Sequence, residues 1–191
     1  MAYPVFSDLL IDAPTGVSFV IQPMQTDLNN LCWLDIAYGL SYKNTDSDGD
    51  KFPEIYIGNN EYREVLPDDS MEKGFVFFDA DESETMQTDP NGRPSGFYTR
   101  RIRAVFWVKL DQIYLELNHR ASEEIKRQAV QALEKTIYGA DITGIVEGVS
   151  NVYGQYYTMK DSLINQHPYY CFAVEMDAKY RYDGCADPCN C

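Results

Sequence analysis

Basic residues are scarce in this chain of 191 residues. It contains 16 Lys and Arg against 30 Asp and Glu, which gives a formal net charge of −14. Binding to nucleic acid or to an anionic membrane surface requires a positive footprint, so this balance opposes both kinds of partner. The acidic charge remains compatible with DNA passing through a lumen, because an acidic wall repels phosphates.

Long apolar runs are also missing. No stretch approaches the roughly 18 uninterrupted apolar residues of a membrane-spanning helix, so we expect no membrane partner. Residues 1–8 lack a basic segment followed by an apolar run, so no signal peptide is expected. The five cysteines are an odd number and do not favour a disulfide framework. Synthesis in a reducing cytoplasm is the simplest expectation.

The familiar catalytic motifs are absent from the sequence. The two histidines, His119 and His167, lie beside neither a nucleophile nor a second metal ligand. There is no Gly-x-Ser-x-Gly elbow, no phosphate-binding glycine loop and no dinucleotide fingerprint. Acidic pairs such as Asp68-Asp69 are expected on the surface of so acidic a chain and do not by themselves make a hydrolase. We therefore predict a protein that is not an enzyme and needs no cofactor.

The apolar content, 45%, is that of a globular protein. Its pattern predicts a single α+β domain over residues 1–191, with two main helices packed on a mostly antiparallel sheet. The first helix is predicted over residues 22–38, with Pro23 in its first turn and an extended piece over 17–21 before it. The second helix is predicted to begin at Ser122 and to close at Gly139.

Several segments have the pattern of strands. Residues 101–110 alternate between two sides, and the apolar side consists of Ile102, Ala104, Phe106, Val108 and Leu110. Val105 and Trp107 lie on the other side and indicate that both faces of this strand are covered. The predicted strands are 54–57 and 62–66, joined as a hairpin, then 74–78, 101–110, 142–152 and 170–182.

Two segments do not fit this regular pattern. Residues 79–99 are polar and rich in turn residues, which predicts an extended loop, an arm or a flexible hairpin that reaches a neighbour. Residues 183–191 predict an irregular tail that carries Cys185, Cys189 and Cys191. Their spacing matches no common zinc module, and a zinc site would need a fourth ligand such as Cys32 or Cys171.

An acidic loop resembles the start of a calcium site. Asn44, Asp46 and Asp48 alternate before Gly49, as ligands do in a calcium-binding loop, and Asp50 and Glu54 follow. The bidentate acid, however, is expected one position after Glu54, and Pro53 interrupts the helix that should follow. A solvated acidic turn is favoured, and a calcium site stays open as an alternative.

Tyrosine is unusually frequent, with 15 copies, some of them clustered in residues 153–157 and 169–182. Tyrosine combines a large apolar surface with a polar tip and is enriched at protein interfaces. Packing in half-buried strands explains part of this excess. The rest favours a role in assembly.

The order of elements resembles the small α+β proteins that complete the tails or necks of long-tailed bacteriophages. The resemblance rests on residues 22–34, 61–68, 74–78, 101–110 and the helix after Ser122. Residues 62–69 together with 73–78 are similar to structural proteins of phages and prophages of the Bacteroidetes group. The resemblance implies a tail terminator or neck ring subunit in the virion that joins tail tube to head. The implied assembly is a hexameric ring with DNA passing through its lumen.

Other functions remain open at this level. A head–tail connector, a stopper or a minor tail protein would share the same features. A metal-binding module or metal-dependent enzyme would use the loop at Asp46 or the terminal cysteines, and a ligand-binding domain would be a monomer with a deep pocket.

Overall fold

The computed structural model describes residues 6–11, 14–66, 72–113, 121–134, 139–154, 156–158 and 168–181. Its helices are a 3₁₀ helix at Phe6–Leu9, α1 at Val17–Asn29, α2 at Leu110–Ile113, α3 at Ser122–Glu134 and α4 at Val149–Val152. Its strands are β1 Ile36–Leu40, β2 Tyr42–Thr45, β3 Lys51–Gly58, β4 Glu61–Glu64, β5 Gly74–Ala80, β6 Thr85–Thr88, β7 Pro94–Lys109, β8 Ala140–Glu147 and β9 Tyr169–Arg181.

The strands form two sheets. The larger has the order β1-β5-β7-β9-β8, with β6 paired to β7, and the smaller is β2-β3-β4. Only β1 and β5 are parallel among the paired strands of the described residues. The predicted α+β class with a mostly antiparallel sheet is therefore confirmed.

Strand β7 is covered on both faces from Ile102 to Val108, as the alternation predicted. Ile102 and Phe106 pack with α1 and α3 in one core. Val105 and Trp107 pack on the opposite side with residues of the smaller sheet and α4. The larger sheet is therefore the middle of three layers, between the two long helices and the smaller sheet.

The prediction of a helix over residues 22–38 is wrong at both ends. Helix α1 begins at Val17 and ends at Asn29, so Pro23 lies inside it and residues 17–21 are not extended. The later part of the predicted helix forms strand β1. Burial of Val20, Met24 and Leu28 against the sheet stabilises the helix despite the proline, because packing overrides local propensity.

The structure gives more exact bounds for two further predicted segments, residues 142–152 and 79–99. The strand predicted over 142–152 covers Ala140–Glu147, then stops at Gly148, whose φ of 87° few other residues adopt, and helix α4 follows. Residues 79–99 form the end of β5, strand β6 and the start of β7. They are therefore a β-hairpin, one of the predicted forms, and its turn is closed where Asp89 Oδ1 accepts N–H bonds from Asn91 and Arg93.

Several predictions lie outside the described residues. These are the cysteine-bearing tail 183–191, both histidines, the end of the second helix before Gly139, and the segment after Thr158.

Candidate assembly surfaces

Three exposed tyrosines lie together on the outer face of the smaller sheet. Alternation in β3 directs Pro53 and Ile55 to the core, so Glu54 and Tyr56 face outward. Strand register then brings outward-facing residues of all three strands together. This surface, named here the tyrosine face, consists of Tyr42, Asn44, Phe52, Glu54, Tyr56, Tyr62 and Glu64.

The tyrosine rings contact one another while remaining in water. Tyr42 is 51% exposed, Tyr56 43% and Tyr62 54%. The Tyr62 ring centroid lies 5.9 Å from that of Tyr42 and 5.3 Å from that of Tyr56, both with edge-to-face geometry. Contiguous apolar area of this kind, left exposed, marks interaction surfaces.

The tyrosine face is also acidic. Glu54 lies directly opposite Glu64, and like charges in such positions destabilise a sheet. Asn44 Nδ2 donates a hydrogen bond of 3.0 Å to Glu54 Oε2, which fixes that carboxylate beside the rings. The basic residues of the three strands occupy the alternate positions: Lys43, Lys51 and Arg63. The face therefore favours a partner with positive charge.

A second exposed surface has the opposite character. At one end of the β7–β9 ladder, Phe97 is 45% exposed and the Arg181 guanidinium lies 5.7 Å from its ring centroid. The side chains of Arg101 and Lys179, on the same face, are 52% and 51% exposed. Their carboxylate partners are Asp177 and Asp141. This surface, named here the Phe97 face, consists of Phe97, Thr99, Arg101, Asp177, Lys179 and Arg181, with Asp141 of β8 beside Asp177, so three basic side chains stand against two acidic ones.

No family model and no curated protein sequence matches this chain. Across the described ranges, no helix is both long enough and apolar enough to cross a membrane. Interpretation of the two surfaces therefore rests on their own chemistry.

The predicted calcium residues divide between a turn and the tyrosine face. Asp46 Oδ1 accepts N–H bonds of 2.9 Å from both Asp48 and Asp50, which closes the turn between β2 and β3. Asn44 and Glu54 bond to each other on the sheet instead of turning toward that loop. In the described part of the chain, no group of three or more His, Cys, Asp or Glu side chains is placed to hold a metal ion.

A buried ion pair lies on the face of the larger sheet that packs against the smaller sheet. Arg103 Nη2 is 2.6 Å from Asp79 Oδ2, and both side chains are only 4% exposed. Arg103 Nη1 also donates to the Val152 carbonyl, and its guanidinium stacks 3.6 Å from the Tyr156 ring centroid. These contacts attach the segment after α4 to the sheet, which is a structural role.

Buried groups beside this pair have raised pKa values. Burial raises the pKa of the Tyr157 hydroxyl and of the Cys171 thiol. Both groups therefore stay protonated near neutral pH, which argues against a thiolate nucleophile at Cys171. Arg103 lies on the same side of β7 as Val105 and Trp107. The alternation of the strand gives no indication that this arginine is buried next to Asp79.

The tyrosine clusters of the sequence are mostly core residues. Tyr153, Tyr157, Tyr170 and Tyr180 are each at most 4% exposed. The tyrosines with exposed rings instead come from the smaller sheet, where the sequence shows no cluster. Only the register of three strands brings them together.

Proposed function

We propose that this chain is a structural assembly subunit, in which the tyrosine face of one copy binds the Phe97 face of the next. The supporting observation is the exposed trio of tyrosines, set among carboxylates and matched by an aromatic surface bearing arginine and lysine. Two different surfaces that bind each other make a head-to-tail contact, and such contacts close into rings when the rotation fits.

The specific form we propose is a tail terminator or neck ring subunit in the virion of a tailed bacteriophage. Support comes from the resemblance of the order of elements to the tail-completion group and from the similarity of residues 62–69 and 73–78 to structural proteins of phages and prophages. The net charge of −14 is compatible with a lumen through which DNA passes. A head–tail connector, a stopper or a minor tail protein would use the same kind of contact, with tail tube or connector proteins as neighbours.

The test is the absolute mass of the purified protein in solution, measured by light scattering across a range of concentrations. We expect a defined species of about six subunits, because a head-to-tail contact whose rotation closes gives a ring and the resemblance to tail terminators implies a hexameric one. A mass of one subunit throughout the range would contradict spontaneous ring formation.

Charge substitutions then locate the interface. Glu54→Arg on the tyrosine face, or Arg101→Glu on the Phe97 face, places like charges together and is expected to give monomers. The double variant exchanges the two charges and is expected to recover the assembled mass. Glu134→Arg, exposed on α3, is the matched control and should assemble normally. Normal assembly of Glu54→Arg would refute this interface.

The metal-binding alternative has a separate test. Calcium and zinc content is measured on protein purified without chelator. At least one ion per chain would favour a metal-binding module, with Asp46 and the terminal cysteines as the first residues to substitute.

A further inference from the structure

A cavity of about 190 Å³ opens beside the tyrosine face. Its walls come from the 3₁₀ helix, α1, the end of β1 and β3, and Tyr42 and Tyr56 lie at its rim. The cavity is smaller than typical ligand pockets, which measure roughly 300–1,000 Å³. That size suits a short organic group and excludes a nucleotide cofactor.

An acceptor without a protein donor lines this cavity. Gln25 is 2% exposed, and its Nε2 donates to the Ala37 carbonyl at 3.1 Å, which fixes the orientation of the amide. Its Oε1 lies beside Gly39, where an added Cβ would be 3.4 Å away. Among the described residues no hydrogen bond to Gln25 Oε1 forms. The oxygen is not one of the sealed unpartnered atoms of the described residues, so it is open to the cavity and can accept a hydrogen bond from a molecule bound there.

The rest of the described lining combines apolar walls with polar side chains and one negative charge. Leu9, Ile21 and Ile55 form apolar walls, Ser18 and Gln22 are polar, and Asp8 is the one charged residue among the described residues that line the cavity. Ile11 N–H donates to Gln22 Oε1 at 3.0 Å, which holds the segment after the 3₁₀ helix against α1. No Lys or Arg precedes Lys43 in the chain, so no basic side chain of this segment competes for Asp8.

We propose that this cavity binds a small organic cation, an alkylguanidinium or alkylammonium with a short apolar stem. The stem packs between Ile21 and Ile55, and the N–H groups donate to Gln25 Oε1 and to the Asp8 carboxylate. Because Tyr42 and Tyr56 belong both to the rim of the cavity and to the tyrosine face, the NMR titration that tests the site is also run on Glu54→Arg, in which the proposed self-association is disrupted.

The test follows the isoleucine δ1-methyl signals in an NMR titration with n-butylguanidinium, which works for a monomer or a ring. Ile11, Ile21 and Ile55 line the cavity and should shift saturably, with dissociation in the millimolar range. Ile102 and Ile125 belong to the same core cluster as Ile21 but do not line the cavity, so they should not shift. Guanidinium without a stem, and n-butanol without a cation, should each give much smaller shifts.

Substitutions decide whether the shifts come from this cavity. Ser18→Leu places a side chain into the space and should abolish the shifts, while Asp8→Asn should weaken binding by up to about fivefold. Gln25→Met, which removes the acceptor, is the second variant should Ser18→Leu fail to fold. Equal shifts at all isoleucines, no shifts at all, or unchanged binding in the variant that folds would overturn the proposal.

Discussion

Arg103 and Asp79 are paired where water has almost no access, with each side chain 4% exposed. Removing one partner leaves the other charge buried and uncompensated, which costs about 3–5 kcal/mol. We therefore expect Arg103→Met to lower the free energy of unfolding by about that amount in urea denaturation. The double variant Arg103→Met with Asp79→Leu should be more stable than Arg103→Met alone, because no lone charge remains.

Arg101, two positions away, is the matched control. Its contact with Asp177 spans 3.8 Å and both side chains are well exposed. Such surface pairs contribute about 0–1 kcal/mol, so Arg101→Met should change stability little. Equal losses in the two single variants would mean that burial of the Arg103 pair has no special effect.

At the scale of elements, helix α3 carries a pH-dependent contact in its first turn. Hydrogen bonds from Arg127 and then Gln128 lower the pKa of Glu124 from 4.5 to about 2. Because the folded-state pKa lies below the unfolded one, this contribution to stability is complete above pH 4.5 and is lost as pH falls toward 2. Glu124→Gln should therefore make the melting temperature less sensitive to pH across that window.

The measurement is a series of thermal melts of the two proteins between those pH values. Glu134→Gln, at the other end of the same helix, controls for removing one carboxylate. An identical pH dependence of Glu124→Gln and the unsubstituted protein would contradict the assignment.

The elements that sequence could predict are those with one unambiguous period. The alternation of Ile102, Phe106 and Val108 with Val105 and Trp107 predicted the buried part of β7 and the covering of both its faces. Helix α1 was misplaced because its β-branched and aromatic start favours a strand and Pro23 favours a helix start. Only the packing of that start against the sheet, a tertiary contact, decides the outcome.

The candidate surfaces were beyond sequence analysis for a related reason. Tyr42, Tyr56 and Tyr62 come from three strands, and their proximity depends on register and on which face is covered. The cavity beside them draws its lining from four separate segments. The loop at Asp46, in contrast, is a local feature, and its prediction as an acidic turn followed from local composition.

At the scale of the whole molecule, charge determines which polymers the protein avoids. With a net charge of −14, it should not bind duplex DNA at about 0.15 M salt, because non-specific binding depends on neutralising phosphates. The measurement is fluorescence anisotropy of a labelled duplex titrated with the protein. A saturable rise in anisotropy would show that the Phe97 face binds DNA in spite of the overall charge.

The β7–β9 ladder also affects the order in which the strands of this protein can pair during synthesis. Its thirteen pairs run from Phe97 with Arg181 to Lys109 with Tyr169, so partners lie at least 60 positions apart in the sequence. A ribosome completes β7, apolar on both faces at its centre, well before β9 emerges. Long-range pairing of this kind slows folding. In the nascent chain β7 can pair with β5 and β6, which precede it, but its edge toward β9 stays open and prone to aggregation until β9 is made.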